Sequence, residues 1–477
     1  MSLLSDARSH YPVFRYTNAT YRLIPEGLEL LFTYVQAPEI EYTHRVVIAG
    51  VTANHLDIVP QHTLDALIRH LGAIELISYW KATCSPEISF EALALSPEQL
   101  TWWQNLYLQG LGEFFFVNQI DFTTPSFMKL SSTDIPVNSR QHLPTTPPAI
   151  TPPELSKETA ILIPVGGGKD SVVSLELLHT HIPTTLLGCL LINPTKASSD
   201  TANISGIDRL HTVKRILDPQ LAITTEQTKL NGHVPISASY AWISLIVAHL
   251  YQYQVIAVSN ESSSNEGSVQ YLGTEINHQY SKTYAFEQAL QHYCLTYIPN
   301  TPWYCSLLRP LSELQIAQVF AQYPQYHQAF RSCNKGQKSN SWCCQCPKCL
   351  FAYLILAPFI ELPRLTELFG SALFENESLW PELQQLLGFV PQKPLECVGT
   401  RQECRVAVYL ACQKVQAENQ PLPFLLRKAQ TELNQLGVFT ELATEAQKLL
   451  RSWNTNHSVP EKLAELVQNA TQSLNGK

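Results

Sequence analysis

Residues 166–171 read Gly-Gly-Gly-Lys-Asp-Ser and are the strongest chemical signal in the chain. An apolar, β-prone run, Ile161–Val165, precedes them. Behind them Val172, Val173, Leu175, Leu177 and Leu178 follow a helical spacing. A strand, a glycine turn and a helix N-terminus in that order form a phosphate-holding device. Glycine lets the backbone bend sharply and approach an anion, and the first helical N–H groups lack intrahelical acceptors at the positive end of the dipole. A tight turn without ligand would carry the same glycines. The spacing excludes two common phosphate loops, because neither GxxxxGK[ST] nor GxGxxG fits these residues.

Cys333, Cys343, Cys346 and Cys349 form the second cluster. Two consecutive CxxC steps put three sulfurs on one tight turn, and a fourth cysteine upstream closes a tetrahedron suited to Zn²⁺ at about 2.3 Å per sulfur. Cys344 is either a spare or the substitute for Cys333. Four thiolates leave no open coordination position, so the expected zinc is structural. Lys335, Lys338 and Lys348 lie nearby to offset its negative charge. Chance clustering of reduced cysteines is the alternative.

Three weaker constellations follow. The strand-like run Val255–Ser259 ends in a polar loop that holds Glu261 and Glu266, candidates for Mg²⁺ or substrate contacts. A solvated turn has the same composition. His278 and Lys282 are four apart at the expected start of a helix, which an exposed pair would also be. Arg309 precedes Pro310 and a capping-box pattern, Ser312 with Gln315, and is a candidate to neutralise phosphate or carboxylate.

The surrounding elements define an α/β fold. Ile161–Val165, Leu186–Ile192 and Val255–Ser259 read as buried parallel strands, and Ser171–His181, Ile207–Leu217 and Ser237–Tyr253 as helices between them. This alternation implies a doubly wound parallel sheet with ligands at its carboxyl edge. Further helices are expected over Tyr280–Tyr297, Ser312–Tyr323 and Lys348–Leu356. Upstream, a hairpin pattern at Tyr21–Tyr34, a strand at Val46–Val51 and helices at Thr63–Ser78 and Ser96–Phe115 suggest an α+β N-terminal domain, residues 1–134. A proline-rich linker, 135–156, separates it from the site-bearing domain, 157–370, and 371–477 forms a helical C-terminal region with no chemical motif.

The chain has 477 residues and a formal net charge of −8, with no clustered Lys/Arg surface, which argues against a nucleic-acid partner. Met1–Tyr16 lacks the layout of a signal peptide, and the longest apolar stretches, Ala241–Leu250 and Leu350–Ile360, are too short to span a bilayer. Twelve cysteines without a secretion signal indicate reduced thiols, so a cytoplasmic protein without a membrane partner is expected. No feature of the sequence specifies an oligomeric state.

The hexapeptide 166–171 resembles the SGGxDS signature of the ATP pyrophosphatase (PP-loop) superfamily, with Gly166 in place of the usual Ser. GGGKDS, SNESSSNEG, NHQYSK, SLLRPLSELQIA and WCCQCPKCLFAYLIL together resemble the UDP-N-acetylmuramoyl-L-alanyl-L-glutamate epimerases of bacterial peptidoglycan synthesis, most densely over 160–359. A four-cysteine zinc site similar to that of the 7-cyano-7-deazaguanine synthases accompanies the turn. The resemblance implies ATP- and Mg²⁺-dependent inversion of the terminal L-glutamate of UDP-MurNAc-L-Ala-L-Glu through an acyl-adenylate, with release of AMP and diphosphate. It places Gly166, Gly167, Gly168, Lys169, Asp170 and Ser171 at ATP, and Asp170 with Glu261 or Glu266 at Mg²⁺. It puts Lys169 or Arg309 beside the phosphates, and His278 and Lys282 as acid/base candidates. The N-terminal domain would bind the UDP-muramoyl part. Rival readings are another adenylating enzyme of the superfamily, for tRNA thiolation or deazaguanine nitrile synthesis, and a nucleotide sensor without chemistry. The acidic charge weakens the tRNA option, and the extra N-terminal domain weakens the deazaguanine option.

Overall fold

The computed structural model describes residues 3–38, 40–133 and 150–475. Most of the proline-rich linker lies outside the described residues. Ten strands build one mixed sheet. The N-terminal part contributes β1 (Val13–Ile24), β2 (Gly27–Gln36), β3 (Ile40–Ala49), β4 (Glu87–Phe90) and β5 (Lys129–Ser132). The later chain contributes β6 (Ile161–Pro164), β7 (Leu187–Ile192), β8 (Leu210–Ile216), β9 (Val255–Val258) and, after a two-stranded hairpin of β10 (Val269–Tyr271) and β11 (Thr274–Ile276), β12 (Trp303–Ser306).

The expected hairpin is present as β1 and β2, with Ile24 opposite Gly27, and β3 completes an antiparallel meander. The order across the sheet is β12-β9-β6-β7-β8-β3-β2-β1-β4-β5. From β12 to β8 all neighbours are parallel. Taken in chain order these five strands run 3-2-1-4-5, the doubly wound order, with its switch point between β6 and β9. The N-terminal strands join this sheet directly, because β3 pairs antiparallel with β8.

Several elements differ from expectation, among them β12, which falls where no strand is expected. The stretch 207–217, where a helix is expected, instead holds strand β8 at 210–216. The apolar and β-branched residues there alternate: His211 and Val213 are buried while Leu210 and Lys214 face out. A period of two across a half-covered strand outweighs the helical spacing read from the flanks. The expected helix Ser96–Phe115 breaks at Leu111 into Pro97–Gly110 and Gly112–Val117, and Ser96 caps it by accepting from Gln99 N–H.

Each sheet face has its own core. Ile161, Ile163, Cys189 and Val255 point to helices Lys169–His179, Glu313–Phe320, Pro347–Leu356 and the C-terminal helices. Leu162, Leu190 and Ile256 point to the other face, under helices Gln61–Trp80, Ile236–Leu250 and Tyr284–Tyr297. Adjacent residues of one strand thus feed different cores, as a parallel sheet covered on both faces requires. Helices Trp380–Leu387, Arg401–Ala417, Phe424–Gln435, Leu442–Leu450 and Glu461–Asn475 follow toward the C-terminus. Among the described residues no helix is long and apolar enough to cross a membrane.

A buried ion pair pins the seam between the two halves of the sheet. Arg215 on β8 meets Glu75 of helix Gln61–Trp80 at 2.6 Å, and Nη2 also donates to Ser78 Oγ at 2.8 Å. His44 on β3 lies 3.4 Å from the same carboxylate. Burial alone would raise the Glu75 carboxyl, but Arg215 outweighs it and holds it below the usual range. Removing one partner strands the other charge in the interior. Arg215→Met is expected to cost about 3 kcal/mol or more in urea unfolding; an unchanged midpoint would refute that role.

Candidate functional site

The switch point leaves a crevice between the loops that follow β6 and β9, where a doubly wound sheet binds ligands. β6 ends at Pro164, and Gly168 caps helix Lys169–His179. Gly167 sits at φ +84°, where a side chain is strained, and an added Cβ would lie 2.5 Å from the backbone N of Ser198. That nitrogen belongs to helix Lys196–Ile204, capped by Thr195. Two helix N-termini therefore converge on one cavity of about 740 Å³, lined by Gly166, Gly168, Asp170, Ser171, Thr195 and Ser198 among others. Its size suits a nucleotide, and its donors and dipoles suit an anion. Gly166 faces open space, so the serine usual in the resembling motif would fit there. Ser171 Oγ donates to the Gly168 carbonyl at 2.9 Å.

A second cavity, about 250 Å³, shares Gly166, Gly168, Asp170, Thr195 and Lys282 with the first. Its walls hold an acidic group. Lys169 is buried, 2.5 Å from Asp170 and in contact with Glu313. Burial would lower the Lys169 ammonium, but Asp170 and Glu313 outweigh it and hold it above its ordinary value. Glu261 is buried on the same cavity, and burial followed by the Asp170 charge pushes its carboxyl up. Burial likewise raises Glu313, whose backbone N–H donates to Glu403 at 2.7 Å. A hard divalent cation is the species that would relieve Asp170 and Glu261 of their mutual repulsion.

Two expected residues sit elsewhere. Glu266 lines neither cavity and pairs with Lys393 at 2.6 Å. Arg309 is fully buried and lines neither cavity; it donates to the carbonyls of Glu261 and Lys282 and to Ser264 Oγ, and meets Glu287 at 3.3 Å. Its position ties the β9 loop to residue 282 and sets the wall on which Glu261 stands.

The cysteine cluster is assembled. One sulfur from each of Cys333, Cys343, Cys346 and Cys349 lies within 4.8 Å of the others. Cys344 is the spare: its backbone is left-handed at φ 55°, and its thiol donates to Phe369 carbonyl at 3.2 Å. Backbone N–H groups of Gly336 and Cys343 donate to Cys333 Sγ, and Cys349 N–H to Cys346 Sγ, as suits thiolates. The chain entering the cluster meets the glycine turn, since Arg331 N–H donates to the Gly167 carbonyl at 2.9 Å.

His278 and Lys282 do not share a helix. Asn277 Oδ1 accepts from Gln279 N–H, turning the chain, and the helix starts only at Tyr284 under a Thr283 cap. Both side chains nevertheless meet one group, Cys397. Lys282 Nζ is 3.3 Å from its sulfur and His278 Nε2 3.5 Å, while His278 Nδ1 is 2.7 Å from Glu113. His233 lies 3.6 Å from the same carboxylate. Burial would lower His278, but Cys397 and Glu113 outweigh it and raise it to about 9; burial, then His278, push His233 down to about 4. Cys397 raises Lys282 against burial. Glu113, His233, Cys397 and Glu403 have no motif to mark them, and Glu313 lies unmarked within the segment SLLRPLSELQIA. Only the capping box Thr400–Glu403 was visible locally, and it says nothing of a site.

Fold and site together define an α/β enzyme with a glycine turn between two helix N-termini at its switch point, beside a four-cysteine cluster. The MurL N-terminal domain family matches residues 5–307 and the MurL C-terminal domain family residues 329–440. The chain is 32% identical over 455 residues to the UDP-N-acetyl-alpha-D-muramoyl-L-alanyl-L-glutamate epimerase of Xanthomonas oryzae pv. oryzae, covering 92% of this chain and 93% of that one. Proteins of the same name from Micromonospora sp. and Salinispora tropica are each 33% identical, over 76% and 73% of this chain and 78% and 73% of theirs. No solved structure matches it. The chain belongs to the MurL family and is an epimerase.

The glycines differ in what they tolerate. Gly167→Ala is expected to lose roughly 1–3 kcal/mol, while Gly166→Ser keeps the wild-type melting temperature. Thermal unfolding of the two variants side by side checks this, and equal melting temperatures would refute it.

Proposed function

We propose that this enzyme inverts the terminal L-glutamate of UDP-MurNAc-L-Ala-L-Glu to D-glutamate, using ATP and releasing AMP and diphosphate. The observation that carries this reading is the glycine turn between two helix N-termini, with Asp170 and Glu261 on the adjoining cavity. A proton α to an ionised carboxylate is hard to remove, because a second negative charge must build on the same group. Joining the carboxylate to AMP removes that charge and offers an electron-withdrawing carbonyl. The relatives carry the epimerase name in full, and the turn matches the PP-loop signature except at Gly166.

In this reading Gly166, Gly167, Gly168 and the Ser171 N–H hold the phosphates. Asp170 and Glu261 hold Mg²⁺, which supplies charge neutralisation at the diphosphate leaving group. Lys169 keeps Asp170 in place through the pair they form with Glu313. Cys333, Cys343, Cys346 and Cys349 hold a structural Zn²⁺ that stiffens the loop lying against Gly167. Residues 1–134 bind the UDP-muramoyl part, and the reaction belongs to cytoplasmic peptidoglycan precursor synthesis.

Incubation with UDP-MurNAc-L-Ala-L-Glu, ATP and Mg²⁺ in D₂O is expected to place deuterium at the glutamate α-carbon and to release diphosphate. Asp170→Ala should lower that release by about a hundredfold or more. Absence of substrate-dependent diphosphate from the wild-type enzyme would overturn the reading. The purified protein should also contain about one zinc per chain. Cys346→Ser should lose it and weaken ATP binding in calorimetry; full ATP affinity without zinc would remove the metal from any support of the turn.

A further inference from the structure

Cys397 belongs to a segment without chemical motif, in the loop before helix Arg401–Ala417, yet its side chain lines the second cavity together with Gly168, Asp170, Glu261 and Lys282. Its surroundings are those of an activated thiol. His278 Nε2 lies 3.5 Å from the sulfur, and Glu113 binds the other ring nitrogen at 2.7 Å, a thiol–imidazole–carboxylate chain drawn from three distant parts of the sequence. Lys282 Nζ stands 3.3 Å away on the cavity side. The loop is anchored, because Thr400 and Glu403 form a capping box and Glu403 accepts from the backbone of Glu313 beside the glycine turn.

We propose that Cys397, as thiolate, is the catalytic base that takes the α-proton of the substrate glutamate. The proposal rests on the epimerase reading above and names a group for its proton-transfer step. The Cα–H bond breaks and an Sγ–H bond forms, while the electron pair moves into the acyl carbonyl as an enolate. The Lys282 ammonium offsets that charge. Cavity water gives a proton to the opposite face of Cα, and the proton released by the thiol neutralises the hydroxide left behind; a second water then splits the acyl–AMP bond, returning the carboxylate and releasing AMP, so atoms and protons balance over the turnover.

The other candidates fit less well. Lys282 is an ammonium and cannot accept a proton, and it stands too close to Cys397 for the two to flank opposite faces of one carbon. His278 lines neither cavity and has both ring nitrogens engaged, so it is a positioning residue. Burial alone would raise the Cys397 thiol, but Lys282, His278 and Lys348 outweigh it and hold it well below the usual thiol range. Glu396, next in the chain, is the acidic group that opposes them. Cys84, Cys189, Cys294, Cys305, Cys404 and Cys412 are buried, with thiols raised by burial.

The test uses the full-length zinc-loaded enzyme with UDP-MurNAc-L-Ala-L-Glu, ATP and Mg²⁺ in D₂O. In Cys397→Ser and Cys397→Ala, deuterium entry at the glutamate α-carbon should fall by about a hundredfold or more, while diphosphate release falls by less than about tenfold. Deuterium entry within about threefold of wild type would overturn the assignment. A wild-type enzyme that releases no diphosphate would instead defeat the reading beneath it. The wild-type protein offers a check that does not depend on the folding of a variant. At about pH 6.5 iodoacetamide should label Cys397 at least about tenfold faster than Cys344, and substrate with ATP should protect it. Labelling at equal rates would overturn the proposal.

Discussion

A buried ammonium holds this site together. Lys169 sits where Asp170 and Glu313 meet, and without it two carboxylates would face each other in a poorly solvated space with Glu261 close by. The pair joins the first turn after β6 to helix Glu313–Phe320, elements separated by more than a hundred residues. Glu313 passes the connection on through its backbone to Glu403, and so to the segment that carries Cys397. Desolvation makes each member costly alone, so the arrangement holds only as a set.

The glycine turn depends on close contact as much as on charge. Gly167 lies against the N-terminus of helix Lys196–Ile204, and its carbonyl accepts from the strand of chain entering the cysteine cluster. A loop of this length, residues 331–349, has few apolar side chains to order it, and four converging sulfurs offer a metal that could. The N-terminal meander contributes from the other side. It extends the sheet at β8, and helix Gly112–Val117 of the same N-terminal part supplies Glu113, which orients His278. That gives the N-terminal part a physical reason to be joined to the parallel half through a shared core.

The local signals in the sequence were of two kinds. Gly166–Ser171 between an apolar run and a helical pattern, and the cysteine spacing, carry their geometry within a short stretch; both appear as expected. Strands β6, β7 and β9 are short apolar runs and are equally legible, whereas β12 is not marked in the sequence. Residues 207–217 misled because an edge of the parallel half, covered by β3, buries only alternate residues, and the neighbours that decide this are far away in the chain.

What remains was a matter of tertiary contact. An arginine before a proline reads the same whether it meets a phosphate or braces two loops, and only burial and five partners show Arg309 doing the latter. Cys344 and Cys333 were equal on spacing until the left-handed backbone at Cys344 turned its thiol toward Phe369. Cys397 and Glu113 carry no pattern, because their chemistry comes from neighbours 90 or more residues away. Backbone-bound devices such as a glycine turn or a CxxC step are encoded by adjacent residues. The charge state of a side chain is set by the groups packed around it, and only the folded chain brings those together.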